Sequence, residues 1–170
     1  MGTDFANING NAGFAINITG TRDAVIPTIT HNIDFRGRTT YTFGTDENQI
    51  NLIFAAEKIL STMDDVNLDL FALDAGSGRI VGFDSVKFMC VKNTGTATIH
   101  IGSPTGTTWP GQSITNGLDV LLPPGASWGF DQPNHGVPVF SAGSIIEIAN
   151  FDQTDPQTAT YQIYIGGISN

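Results

Sequence analysis

The amino-acid sequence predicts an all-β protein: an antiparallel β-sandwich of jelly-roll type with an extended N-terminal arm. Three observations carry that expectation. Apolar residues recur at every second position in one run after another, the period of a strand with a buried face. The runs are separated by Gly, Pro, Asn and Asp, the residues that reverse a chain. Only 14% of the 170 residues are charged, while 20 are Gly, a balance that suits pleated strands and turns better than salt-bridged helices. This length is enough for one domain with a proper core. The pattern divides the chain into an arm, residues 1–23, and a single sandwich domain, residues 24–170.

Met1 to Asp23 is rich in Gly, Asn and Thr, with isolated apolar residues at Phe5, Ile8, Phe14, Ile16 and Ile18. So little apolar surface cannot offset the cost of ordering the backbone, so an arm is expected, flexible or ordered by a neighbour, with 14–18 as its strand. From Pro27 onward Ile29, His31, Ile33 and Phe35 share one face, and Thr39–Phe43 has β propensity throughout. In Gln49–Leu60, QINLIFAAEKIL, the helix formers Ala55–Lys58 compete with alternation of Ile50, Leu52, Phe54 and Ala56. Alternation fits better, and a strand is expected. Val66, Leu68, Leu70 and Ala72 alternate up to a turn at Asp74–Gly78.

Val86–Gly102, VKFMCVKNTGTATIHIG, reads as a β-hairpin. Val86, Phe88, Cys90, Ala97, Ile99 and Ile101 form its core face, and His100 lies outside. A long loop, 103–116, carries Trp109, and loops of that length are usually functional. Leu118–Leu122 is a strand stopped by Pro123-Pro124-Gly125. Trp128 and Phe130 share a face. Val137–Phe140, Ile145–Phe151 and Ala159–Ile165 complete the set, the last with Ala159, Tyr161, Ile163 and Ile165 inward and Thr160, Gln162 and Tyr164 outward. About nine or ten short strands at roughly 8–14 residue spacing suit a sandwich.

The formal charge is −9 with only 7 Lys and Arg, so no nucleic-acid partner is expected. No apolar run is long enough to span a bilayer and the N-terminal residues lack the pattern of a signal peptide, so no membrane partner is expected and a soluble product is. Cys90, in mid-strand, reads as a small buried hydrophobe. His31, His100 and His135 match no ligand spacing, so neither a metal nor a cofactor is expected. Ser77 in Gly76-Ser77-Gly78 lacks the nucleophile-turn pattern. Asp64-Asp65 and Asp152–Asp155 do not match a calcium loop and are explained by turn chemistry. Trp109 and Tyr41 are the aromatics available to a sugar-binding face. No catalytic residue is assigned.

Lys92–Gly102, Trp109, Leu122–Gly125, Ile145–Asn150 and Ala159–Gly166 resemble, in outline, small all-β virion structural proteins of tailed bacteriophages, and within that group a capsid cement, or decoration, protein. The resemblance covers about Gln49 to Gly167. It implies a protein without enzymatic activity on the outer surface of the capsid, made soluble in the host cytoplasm. It would bridge subunits of the major capsid protein and self-associate as a dimer or trimer. Phe5, Ile8, Phe14, Ile16, Trp109 and His100 are the candidate interface residues. The alternative expectation is a sugar- or receptor-binding β-module, or a neck or tail structural protein, of a phage particle.

Overall fold

The computed structural model describes residues 10–12, 39–76, 78–102, 120–140, 144–151 and 158–169. Phe5, Ile8, Phe14, Ile16, Trp109, the expected strands at 14–18 and 29–35, His31, Ser77 and Asp152–Asp155 lie outside these residues.

The described residues form strands and turns: β1 (Gly10–Ala12), β2 (Thr39–Phe43), β3 (Gln49–Ile50), β4 (Leu52–Leu60), β5 (Asp65–Asp69), β6 (Leu73–Asp74), β7 (Ile80–Val81), β8 (Phe83–Asn93), β9 (Ile99–Gly102), β10 (Val120–Leu122), β11 (Ser127–Asp131), β12 (Val137–Pro138), β13 (Ile145–Asn150) and β14 (Ala159–Ser169). Among them no helix occurs. Two sheets dominate. A five-stranded sheet has the order β11-β8-β14-β4, with β12 also paired to β8, and a four-stranded sheet has the order β10-β9-β13-β5. All pairings in both are antiparallel. A small sheet, β1-β2-β3, and the hairpin β6-β7 are appended to them.

The two large sheets share one hydrophobic core. Phe54, Met89, Val91, Ile163 and Ile165 of the five-stranded sheet cluster with Leu68, Ile99, Ile101, Ile146 and Ile148 of the four-stranded one. Alternation delivers these side chains, since β13 buries Ile146, Ile148 and Asn150 and leaves the residues between them half-buried. QINLIFAAEKIL is a strand as expected, with Ile50, Leu52, Phe54 and Leu60 buried. Trp128 and Phe130 share a face and meet edge-on with centroids 6.2 Å apart. The turn after β10 uses Gly125 at φ +80°, a conformation open to Gly without strain.

Three expectations are corrected. Val86–Gly102 is no hairpin, because β8 and β9 belong to different sheets. The link between them is fastened to β14: the amides of Thr94 and Gly95 both donate to the Thr160 carbonyl, at 2.8 and 2.9 Å. A Cβ on Gly95 would overlap the backbone nitrogen of Thr160. The buried Asn93 amide then donates to the carbonyls of Ala97 and Leu122, both at 2.8 Å, and turns the chain toward the other sheet. Alternation with a short polar link is thus equally the signature of a crossover between layers.

The core face of β8 is also reassigned. Val86, Met89 and Val91 join the inter-sheet cluster, whereas Phe88 and Cys90 lie on the opposite face. The register against β14 shifts between Gly166 and Gly167, where Phe88 faces Gly166 and Val86 faces Gly167, so Lys87 is the extra residue of a bulge. One inserted residue exchanges the faces of everything beyond it. Finally, the opposite face is closed along β8 and β14, where Gln162 and Tyr164 are 8% and 6% exposed, and open only at β4, where Ala55, Glu57 and Ile59 are exposed. A smaller difference is that β5 ends at Asp69, with Leu70 buried and Ala72 exposed in the following turn.

Candidate docking surface

The groups with chemical potential on the five-stranded sheet are committed to structure. Lys87 is 2% exposed, and its ammonium donates to the carbonyls of Asp46 (2.9 Å), Pro133 (3.1 Å) and Asn134 (2.8 Å). One side chain therefore ties the 44–48 and 132–136 turns to β8. Burial lowers its pKa from the ordinary value, and the carboxylates of Glu47 and Asp46 oppose that shift. The Tyr41 hydroxyl donates to the Asp131 carboxylate, and its ring packs on Phe88 at 5.6 Å. At 2% exposure, Tyr41 is not available to a sugar, which corrects the expectation that grouped it with Trp109. Burial, with Asp131 beside it, raises its pKa.

Cys90 is fully buried, and burial pushes its thiol up to about 12. This is an inert thiol at neutral pH, as its mid-strand place suggested. Among the described residues no group of three or more His, Cys, Asp or Glu is placed to hold a metal ion. Asp64 and Asp65 are engaged locally: the Asp65 amide donates to Asp64 Oδ1 at 3.1 Å, and Asn67 Nδ2 to Asp65 Oδ2 at 3.4 Å. His135 is exposed in the 133–135 turn. No described helix is long and apolar enough to cross a membrane.

The outer face of the four-stranded sheet differs in character. His100 sits on β9 opposite Leu121 of β10 and Ala149 of β13, so the three side chains form one row across the outer surface. His100 is half-buried, Leu121 is 50% exposed and Phe151, just past the end of β13, is 52% exposed. The rings of His100 and Phe151 are 6.5 Å apart and tilted. The Phe151 amide donates to the Thr98 carbonyl at 3.0 Å, which fixes this aromatic beside β9. Asp65 continues the same row beyond Ala149, Glu147 and Asp69 stand farther along the face, and no described Lys or Arg shares it. The patch is apolar at one end and acidic at the other.

His100 thus lies on an outward face, as expected, although the sheet is not the one the hairpin implied. Leu121 and Phe151 were not singled out from the sequence. The available signal was Leu121 itself, an apolar residue at the outward position between Val120 and Leu122. No protein-family model matches the chain, and no curated protein matches it.

Proposed function

We propose that this protein is a non-enzymatic virion structural protein of a tailed bacteriophage, a capsid cement or decoration protein that binds the outside of the head and bridges subunits of the major capsid protein. The observation that carries the proposal is the row Leu121–His100–Ala149 with Phe151 beside it, which holds two large apolar side chains, Leu121 and Phe151, in the open on the sheet. Exposed apolar groups on a rigid scaffold are what a docking face requires. Buried polar groups committed to backbone carbonyls support a scaffold role for the rest of the molecule.

The jelly-roll reading belongs to the same proposal. Its support is the strand order: the eight longer strands of the two sheets, taken along the chain, fall in the five-stranded, four-stranded, five-stranded, four-stranded, four-stranded, five-stranded, four-stranded and five-stranded sheet. That succession is the one that two Greek keys wrapped around one core would give. The arm of residues 1–23, with Phe5, Ile8, Phe14 and Ile16, and the loop bearing Trp109 would add contacts on the particle.

The test mixes purified protein with expanded capsids that lack it. Saturable binding that raises the capsid's thermal stability is expected, and Leu121→Ser together with Phe151→Ser should weaken it at least tenfold. Absence of binding, or binding without stabilisation, overturns the proposal. Glycan binding abolished by Trp109→Ala would replace it with the sugar-binding reading.

A further inference from the structure

Among the described residues the two large sheets end in four edge strands, and three of them carry features that discourage pairing with another chain. β5, DVNLD, has two carboxylates and no cation, so a second copy laid against it meets like charge. β10 has three residues and runs into Pro123-Pro124. β11 has five, with Gly129 in the middle. β4 is the exception. It has nine residues, LIFAAEKIL, without Gly, Pro or bulge, and its single Glu and single Lys cancel.

Among the described residues β4 pairs with β14 alone. The neighbouring β2 runs beside β3 and its register ends at Phe43 opposite Ile50, so it stops short of Leu52. Along the open edge Ala55, Glu57, Lys58 and Ile59 are exposed, and Ile59 is 68% exposed, an unusual burden for an isoleucine on a sheet edge.

We propose that β4 is a self-pairing edge through which two copies of this chain form an antiparallel, twofold-symmetric dimer with one continuous sheet. The strand is its own complement. A twofold axis through Ala56 sets Leu52 against Leu60, Ile53 against Ile59, Phe54 against Lys58 and Ala55 against Glu57, with Ala56 meeting its own copy. Residues whose numbers sum to an even value share a face, so every one of these pairs is side by side on the same surface of the joined sheet. The bulky apolar pairs close both ends, the small residues let the strands approach in the middle, and no like charges stand directly opposite, the two copies of Glu57 being diagonal neighbours. Ile59, 68% exposed, gains an apolar neighbour across the axis.

This inference narrows the dimer-or-trimer expectation to a dimer and rests on β4 rather than on the docking face, which belongs to the other sheet. Its test therefore needs no capsid. Sedimentation equilibrium of the full chain from micromolar concentration upward should give twice the chain mass. Ile59→Lys, and separately Ala55→Lys, should return it to the mass of one chain with an unchanged far-ultraviolet spectrum. The edge-facing amides of 53–59, every second one along the strand, should gain hydrogen-exchange protection as concentration rises, while those bonded to β14 stay protected throughout. A wild-type monomer throughout, a trimer, a dimer that survives both substitutions, or protection of the edge-facing amides of 53–59 independent of concentration would each overturn the inference. The last would mean that the chain's own residues occupy the edge. A monomer would leave the capsid-docking test standing, and failure to bind capsids would leave the dimer standing.

Discussion

The two large sheets use their second faces in opposite ways. On the five-stranded sheet Phe88, Cys90 and Tyr164 are 4%, 0% and 6% exposed on the side away from the inter-sheet core. On the four-stranded sheet the corresponding side carries Leu121 at 50% exposure, half-buried His100 and Ala149, and exposed Asp65 and Asn67. A strand buried on both faces reads as a continuous apolar run, as FMCV does in β8, and a strand buried on one face keeps its alternation, as IIEIAN does in β13. The comparison separates a sheet that provides rigidity from one that offers surface.

The largest test of that contrast is Phe88→Ala. If the second face of the five-stranded sheet is interior, the loss should be about 3–5 kcal/mol by chemical denaturation, as for other buried Phe truncations. A loss below about 1 kcal/mol would put that face in solvent. Next is Lys87→Met, which takes the ammonium away from three carbonyls, of which those of Asp46 and Pro133 keep the amides of Gln49 and Asn48 as donors. It should cost about 2–3 kcal/mol, with the 44–48 and 132–136 turns becoming susceptible to protease before the sheets unfold.

Gly166→Ala follows, at about 1–3 kcal/mol, because the new methyl would fall within the ring of Phe88, which must move. A thermal midpoint equal to that of the wild type would show that the ring has room to give.

The pH dependence has a definite sign. Burial raises the Cys90 thiol from 9.0 to about 12 and the Tyr161 phenol from 10.0 to about 12. Above pH 9.0 the unfolded chain loses thiol protons that the folded chain keeps. Stability from these groups is therefore complete below pH 9.0 and is lost as pH rises through about 12. Lys87, whose pKa is lowered, works in the opposite direction: as pH rises toward its ordinary 10.5, the unfolded chain holds the proton longer. Denaturant midpoints measured across the alkaline range should fall for the wild type. The fall should begin later, with the tyrosines, in Cys90→Ala.

The smallest effect belongs to the open face. Leu121→Ser should change stability by no more than about 0.5 kcal/mol while weakening capsid docking, and a larger loss would place Leu121 within the packed structure.

The positions of the strands were legible because alternation records one buried face whatever the strand packs against. QINLIFAAEKIL, SWGFD, IIEIAN and the inward set Ala159, Tyr161, Ile163 and Ile165 were all readable in this way. The face proposed for docking was half legible: His100 could be placed outside by parity, whereas Leu121 and Phe151 could not be joined to it until β10 and the end of β13 were brought beside β9. What the sequence determined by itself was the class of the fold, the places of its turns and the inertness of Cys90.

Only the tertiary structure decided which sheet each strand enters and which of its faces is the core. The reason is physical. A period of two is the same for a hairpin and for a crossover, and it does not say which parity faces inward once a bulge such as the one at Lys87 inserts a residue. Those choices were made by contacts remote in sequence: Gly95 lodged against Thr160, Asn93 holding Leu122, and Phe88 lying over Gly166.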